Sequence, residues 1–189
     1  MIEIKNFTYK TNKILFDGAS FKAPSTGMIG IAGESGCGKT TFLKIISKQI
    51  HLDSMVNDAV SMFYGNQDAL LKKDLTIIQQ FELIESIYNR EHDQSTIDEL
   101  FNSLNIKANL SQKYDSCSLG EKKRIMIALS VYSNSPCIIL DEPLSSVDYE
   151  DKHSIMKLLK EHSHDRVIIL TIHDEEFDEY LDIKYLIVN

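Results

Sequence analysis

Apolar residues fall in short blocks along the chain. Met28-Ile29-Gly30-Ile31-Ala32, Cys137-Ile138-Ile139-Leu140 and Val167-Ile168-Ile169-Leu170-Thr171 are apolar almost throughout. Runs of this length, closed by turn residues, read as strands, and the last two have the look of parallel strands buried on both faces. Ile2 to Tyr9 alternates as a strand does, and Ser20 to Ala23 reads as a second one after a turn at Asp17-Gly18. Pro24-Ser25-Thr26-Gly27 is a further turn, leading into the run at Met28. Val60 to Tyr64 is another strand, preceded by a polar loop over His51 to Asp58 and ended by Gly65-Asn66.

Helical spacing fills most of the remainder. A helix is predicted from Lys39 to about Gln49. From Leu75 to Tyr88 apolar residues recur at Ile77, Ile78, Phe81, Ile84, Ile87 and Tyr88, a period near 3.6. A second such run follows at Ile97, Leu100, Phe101 and Leu104, after a link at Asp93-Gln94-Ser95 with Ser95 or Thr96 as N-cap. Helices are predicted over Ser118 to Tyr132, stopped by Ser133-Asn134-Ser135-Pro136, and over Tyr149 to about His162. His173-Asp174-Glu175-Glu176 opens a short helix, and Tyr185 to Val188 forms a last strand. Strands alternating with helices predict an α/β fold with a mainly parallel sheet flanked by helices. No strand signal occurs from about 68 to 117, which marks a helical insertion between two strands.

Composition narrows the picture. The 189 residues suit one α/β domain, or one with a small insertion. A net charge of -8 argues against a broad face for nucleic acid. No apolar run approaches the roughly 20 residues of a membrane span, and Met1-Ile2-Glu3-Ile4-Lys5 lacks the features of a secretory signal. Cys37, Cys117 and Cys137 are widely spaced without a C-x-x-C pair, so reduced thiols are expected rather than disulfides or zinc. The histidines other than His173 show no metal-ligand spacing.

The segment Gly33-Glu34-Ser35-Gly36-Cys37-Gly38-Lys39-Thr40-Thr41 fits G-x-x-x-x-G-K-[ST], the P-loop, with a strand before it and a helix after it. Its glycines let backbone N–H groups curl around a phosphate, and the helix N-terminus adds its positive dipole end. Lys39 can reach the β- and γ-phosphates of a nucleotide, and Thr40 can hold Mg²⁺ through its hydroxyl. The run Cys137–Leu140 ends in Asp141-Glu142. Asp141 is placed to hold Mg²⁺, and Glu142 to polarise a water as general base.

With these motifs in this order the chain resembles the ATP-binding-cassette ATPases, the P-loop NTPase subunits of ABC transporters. The resemblance spans almost the whole chain. Tyr9 stands where that family has the aromatic residue that stacks on adenine. Gln67 matches its Q-loop glutamine, which touches Mg²⁺ and the attacking water. Cys117-Ser118-Leu119-Gly120-Glu121, followed by Lys122-Lys123-Arg124, occupies the place of the signature motif Leu-Ser-Gly-Gly-Gln. Asp141-Glu142-Pro143 matches Walker B, Ser145-Ser146-Val147-Asp148 the D-loop, and His173 the switch histidine. The resemblance implies ATP and Mg²⁺ as ligands, with Glu142, His173, Lys39 and Gln67 catalytic and Thr40, Gln67 and Asp141 at the metal. Tyr9, residues 33–41, Ser118 and Gly120 would bind nucleotide.

It also implies a single nucleotide-binding domain over 1–189, with an ATP-binding core at 1–67 and 118–189 and a helical subdomain at 68–117. A small N-terminal antiparallel β part completes the expected fold. Partners would be a transmembrane permease and a second nucleotide-binding subunit, with no nucleic acid, and the location the cytoplasmic face of the cell membrane. DNA-repair and chromosome ATPases share these motifs but need long coiled-coil arms that residues 68–117 cannot supply. Two departures stand out. Leu119 replaces a glycine of the signature, which leaves open a weakly active or non-hydrolysing regulatory subunit of a heterodimeric transporter. Only 28 positions separate Lys39 from Gln67, so an abbreviated β-subdomain is expected around 50–60. No C-terminal regulatory domain is expected.

Overall fold

A computed structural model describes residues 2–51, 55–57, 61–65, 72 and 74–187. Its centre is a five-stranded parallel sheet in the order β5-β6-β7-β3-β8, formed by Met62–Gly65, Cys137–Leu140, Val167–Thr171, Gly27–Ala32 and Ile183–Leu186. A three-stranded antiparallel sheet, β2-β1-β4, comprises Ile14–Ala23, Ile2–Lys10 and Met55–Asn57. The helices are α1 (Lys39–Ile46), α2 (Ile77–Tyr88), α3 (Gln94–Ser103), α4 (Leu119–Tyr132) and α5 (Tyr149–His162).

The continuous apolar runs are explained by burial on both faces. Because side chains alternate along a strand, Ile138, Leu140, Ile168, Leu170, Met28 and Ala32 enter a core shared with α2, α3, α4 and α5. Their neighbours Cys137, Ile139, Val167, Ile169, Ile29 and Ile31 enter a second core with α1 and the antiparallel sheet. Cys137 lies wholly inside, and burial pushes its thiol up to about 12, which suits a reduced, inert cysteine. The second core is aromatic: Phe42 of α1 meets Phe21 edge-on at 5.0 Å between ring centroids and Phe16 at 5.8 Å. The helical insertion packs on α4, where Phe81 meets Tyr132 edge-on at 5.0 Å.

Several local expectations are corrected. Asp17-Gly18 is not the turn between the first strands. It lies inside β2, where Gly18 takes a φ of 62 opposite Asn6 at a φ of 47, and the ladder shifts register between Ile4 and Phe7. Side chains replace the lost ladder bonds: Gly18 N donates to Thr8 Oγ1 (3.2 Å) and Asn6 N to Ser20 Oγ (3.0 Å). β2 therefore begins at Ile14, and the chain reverses where Thr11 N donates to Lys13 O. The polar stretch 51–58 is not all loop, because Met55–Asn57 pairs antiparallel with Ile2, Glu3 and Ile4, in the region where a reduced β part was expected.

The cap of α3 is Asp93, not Ser95 or Thr96; its carboxylate accepts from Thr96 N (3.0 Å) and Thr96 Oγ1 (2.6 Å). These bonds hold the Asp93 carboxyl below its ordinary range. Helix α1 ends at Ile46, sooner than Gln49. The short helix after His173 is a 3-10 turn over Glu175–Tyr180, and β8 starts at Ile183, two residues before the expected Tyr185.

Asp182 ties this last segment to the centre of the sheet. Its carboxylate accepts from Met28 N (2.8 Å) and Lys160 Nζ (2.7 Å), and its own N–H donates to Met28 O (2.8 Å). The Lys160 bond first, then the Met28 amide, hold the Asp182 carboxyl below its usual value. Such a depressed acid stabilises the fold above the unfolded carboxylate value of about 3.9 and stops doing so as pH falls through its lower folded value. Asp182→Ala should cost about 1–3 kcal/mol at neutral pH by leaving the Met28 amide without its partner. In thermal unfolding the gap to wild type should narrow once pH falls below about 4.

Candidate functional site

The carboxyl ends of β3, β7 and β6 lie side by side in the sheet, and each carries one part of the site. After β3 the chain turns through 33–38 into α1. Gly33 has a φ of 149, and a Cβ there would lie 2.6 Å from Ile187 O and 2.7 Å from Cys37 Sγ, so a side chain is excluded on both counts. Gly38 caps α1 with a φ of 105 and packs under Phe16, linking the loop to the antiparallel sheet. Lys39 is buried, and its ammonium donates to the Gly33 and Glu34 carbonyls at 2.7 and 3.0 Å. Glu34, Ser35, Gly36 and Thr40 are exposed, Thr41 is half-buried, and Cys37 is buried. The loop borders a cavity of about 420 Å³ shared with Lys13, Leu186 and Ile187. Lys13 escaped the sequence reading, since a lysine in a hairpin turn looks like an ordinary solvated residue.

After β6 stand Asp141 and Glu142. Asp141 is buried, its N–H donating to Gly65 O at 2.9 Å. Glu142 takes a φ of 50, an uncommon conformation for a side-chain-bearing residue. Thr171, at the end of β7, joins the two acids: its hydroxyl accepts from Glu142 N at 2.6 Å and donates to Asp141 Oδ1 at 3.3 Å. Two residues on, His173 Nε2 lies 3.8 Å from Glu142 Oε1, both side chains about half exposed at 47% and 51%. Glu142, Thr171 and His173 border a cavity of about 90 Å³ with Lys152 and Asp174.

The segment at 118 begins a helix as expected, with Ser118 as its N-cap. Glu121 N donates to Ser118 Oγ (3.2 Å), while Glu121 Oε2 accepts from both Ser118 N (3.1 Å) and Ser118 Oγ (3.0 Å), forming a capping box. Gly120 abuts the 141–148 segment, where a Cβ would lie 2.8 Å from Ser146 O. Leu119, at the place of the substituted glycine, projects outward and is 49% exposed. The steric demand in this motif therefore falls on Gly120.

Tyr9 pairs with Phe16 across β1 and β2 and is partly buried against the second core. Since a Cβ on Gly38 would lie 3.4 Å from the Phe16 ring, the Tyr9 region adjoins the loop. Gln67 lies outside the described residues. Among the described residues no cluster of three or more His, Cys, Asp or Glu side chains forms a metal cage. The candidate donors Thr40 and Asp141 supply one hydroxyl and one carboxylate, a set that suits Mg²⁺ arriving with phosphates and keeping waters.

Thr171 carried no role in the sequence reading, and Lys123 entered it only within the basic run Lys122-Lys123-Arg124. Thr171 closes an apolar run and passes as a strand residue. Lys123 shares a helical face with Met126, Ile127 and Ser130, all buried, and a lysine on such a face was a legible signal. Its ammonium donates to Glu142 O at 2.8 Å and to Asp141 O at 3.5 Å. Burial lowers its pKa, opposed by the Glu142 and Asp141 charges.

Residues 16–145 match the family model described as ABC transporter. The chain belongs to the ABC transporter family. It is similar to the cytochrome c biogenesis ATP-binding export protein CcmA of Reclinomonas americana, at 31% identity over all of this chain and 90% of that protein. The same-named protein of Vibrio cholerae is 26% identical over 94% of this chain and 93% of its own length. Among solved structures, an ATP-binding cassette dimer in a post-hydrolysis state with ADP and Pi superposes with a TM-score of 0.82 at 21% identity, covering 99% of this chain and 94% of that one. Within the family this chain is an ATP-binding subunit.

The Thr171 relay predicts a graded response. Thr171→Val removes both hydroxyl bonds and should lower ATP turnover about 10- to 100-fold, the size of a lost buried hydrogen bond near the reacting groups. Thr171→Ser should restore most of it, as measured by steady-state phosphate release.

Proposed function

We propose that this subunit hydrolyses ATP and that closure of two nucleotide-binding subunits around ATP drives a transmembrane permease. The observation that carries the reading is the convergence of the Gly33–Thr41 loop, the Asp141–Glu142 pair and His173 at the carboxyl ends of adjacent parallel strands. In open α/β sheets ligands bind at that end. The loop N–H groups of 33–41 and the α1 N-terminus receive the phosphates, and the Lys39 ammonium balances the β- and γ-phosphate charge. Tyr9 offers its ring to the adenine.

Thr40, Asp141 and Gln67 would hold Mg²⁺, and the ion would offset charge on the transferring phosphoryl group. The chain's own chemistry rests on Glu142, whose carboxylate polarises the attacking water. His173, facing that carboxylate, orients the water and the γ-phosphate. Because Glu142 and His173 face each other at 3.8 Å, a competent half-site is the better-supported reading over a non-hydrolysing regulator.

Ser118 and Gly120 lie at the start of α4, where the first-turn N–H groups and the dipole favour an anion. On this reading they complete the nucleotide site of a second protomer, with a second copy of this chain as the simplest partner. Solved structures of the same fold are dimeric, which supports pairing of two such subunits. Residues 68–117 form the helical subdomain that meets the permease, while 1–67 and 118–189 form the ATP-binding core. Among the described residues no helix is long and apolar enough to cross a membrane, and we place the subunit at the inner face of the membrane through that permease.

Phosphate release by the wild-type chain should fall to background in Lys39→Ala and in Glu142→Gln; equal release from all three would overturn the enzymatic reading. With ATP and Mg²⁺, Glu142→Gln should sediment as a dimer of this chain alone. A monomer under those conditions would point to an obligatory second kind of subunit.

A further inference from the structure

We propose that Lys123 is a positioning residue that holds the Glu142 turn in place and ties it to the helix bearing Ser118 and Gly120. Lys123 is 2% exposed. A lysine so deeply placed is costly unless it is paired or hydrogen-bonded. Among the described residues it forms no ion pair within 4.0 Å, and backbone oxygens hold it instead: Glu142 O at 2.8 Å and Asp141 O at 3.5 Å. A methionine would fill the same volume without that cost, so the ammonium is there for those carbonyls.

Its target is the position where the backbone needs help. Glu142 has a φ of 50, and one such residue is strained by about 1–3 kcal/mol unless its surroundings over-determine it. Thr171 grips the N–H side of this residue at 2.6 Å, and Lys123 grips its carbonyl side at 2.8 Å. Between them the peptides on both sides of the Glu142 Cα are fixed, and with them the direction of the carboxylate. Half-buried Ser145 also donates to the same carbonyl from within the turn itself, through its hydroxyl at 2.9 Å and its N–H at 3.2 Å, but Lys123 is the donor that reaches it from another element.

Lys123 is also among the contacts joining the first turns of α4 to the 141–151 segment. Gly120 rests against Ser146 O, Lys123 holds Glu142 O, and Arg124 Nη1 pairs with Asp151 Oδ2 at 2.6 Å. The hydrolytic carboxylate and the Ser118 end of α4 are therefore parts of one braced unit. Resting on the dimer reading above, the bond joins this protomer's own Glu142 to the element it presents to the other protomer's nucleotide. Displacement of α4 would carry the Glu142 carbonyl with it.

The test compares Lys123→Met with Lys123→Gln, whose amide can still donate to the Glu142 carbonyl. Hydrogen exchange of the Glu142 amide, ATP affinity, turnover and melting temperature are measured for each. Lys123→Met should exchange that amide at least about 10-fold faster than wild type, with β6 amides unchanged, and lose about 10- to 100-fold in kcat with ATP affinity kept. Lys123→Gln should recover most of both. Unchanged exchange at Glu142 in Lys123→Met would overturn the proposal, as would a loss that follows melting temperature and ATP affinity equally in both variants. Exchange is read without turnover, so a wild-type chain that released no phosphate would sink the hydrolytic reading while the positioning role was still decided.

Discussion

A parallel sheet covered on both faces leaves no room for charge along its strands. In β3, β6 and β7 each side chain alternates into one of two dry cores, and a carboxylate or ammonium anywhere along them would lose several kcal/mol of hydration. Polar chemistry is therefore driven to the strand ends. Because all five strands run the same way, their carboxyl ends form one edge. Chain segments far apart in sequence, at 33–40, 141–148 and 171–174, are brought to that edge by packing alone.

Leaving a buried strand abruptly requires unusual backbone. Gly33, Gly36 and Gly38 supply positive φ after β3, and Glu142 and Ser146 adopt it without being glycine after β6. The two solutions differ in consequence. Glycine makes the loop after β3 conformationally permissive, so its shape is set by Lys39 drawing in the Gly33 and Glu34 carbonyls. Glu142 cannot be glycine and keep its carboxylate, so its strain is offset by groups from β7 and α4.

Much of this could be seen in the residues alone, and the reason is physical. Continuous apolar runs of strand length and helical periods bounded by polar residues have few alternatives, and Cys137–Leu140, Val167–Thr171 and Tyr149–His162 appear with the bounds their pattern implied. Failures came where side chains imitate backbone. Asp17-Gly18 has the composition of a hairpin turn, yet the chain uses Gly18 as a bulge because Thr8 and Ser20 hydroxyls replace the missing ladder partners. Asp93 outcompeted Ser95 and Thr96 as a cap because its two oxygens take both the amide and the hydroxyl of Thr96. In the site, the motif residues were legible because their chemistry dictates their type. Thr171 and Lys123 act on the backbone of other residues: Thr171 leaves no trace in the sequence, while Lys123 shows only as a lysine on a buried helical face, its target unknown until contacts across the fold are seen.

The capping box at the start of α4 has a consequence for how an anion could be received there. Ser118 offers a hydroxyl and an amide, and both are already turned toward one oxygen of Glu121. A phosphate arriving from a second protomer would meet donors engaged by a resident carboxylate. Its capture is then an exchange of one anion for another. On the proposed dimer reading the helix end would stay satisfied before and after the exchange, so this end of α4 needs no bound ligand to remain folded.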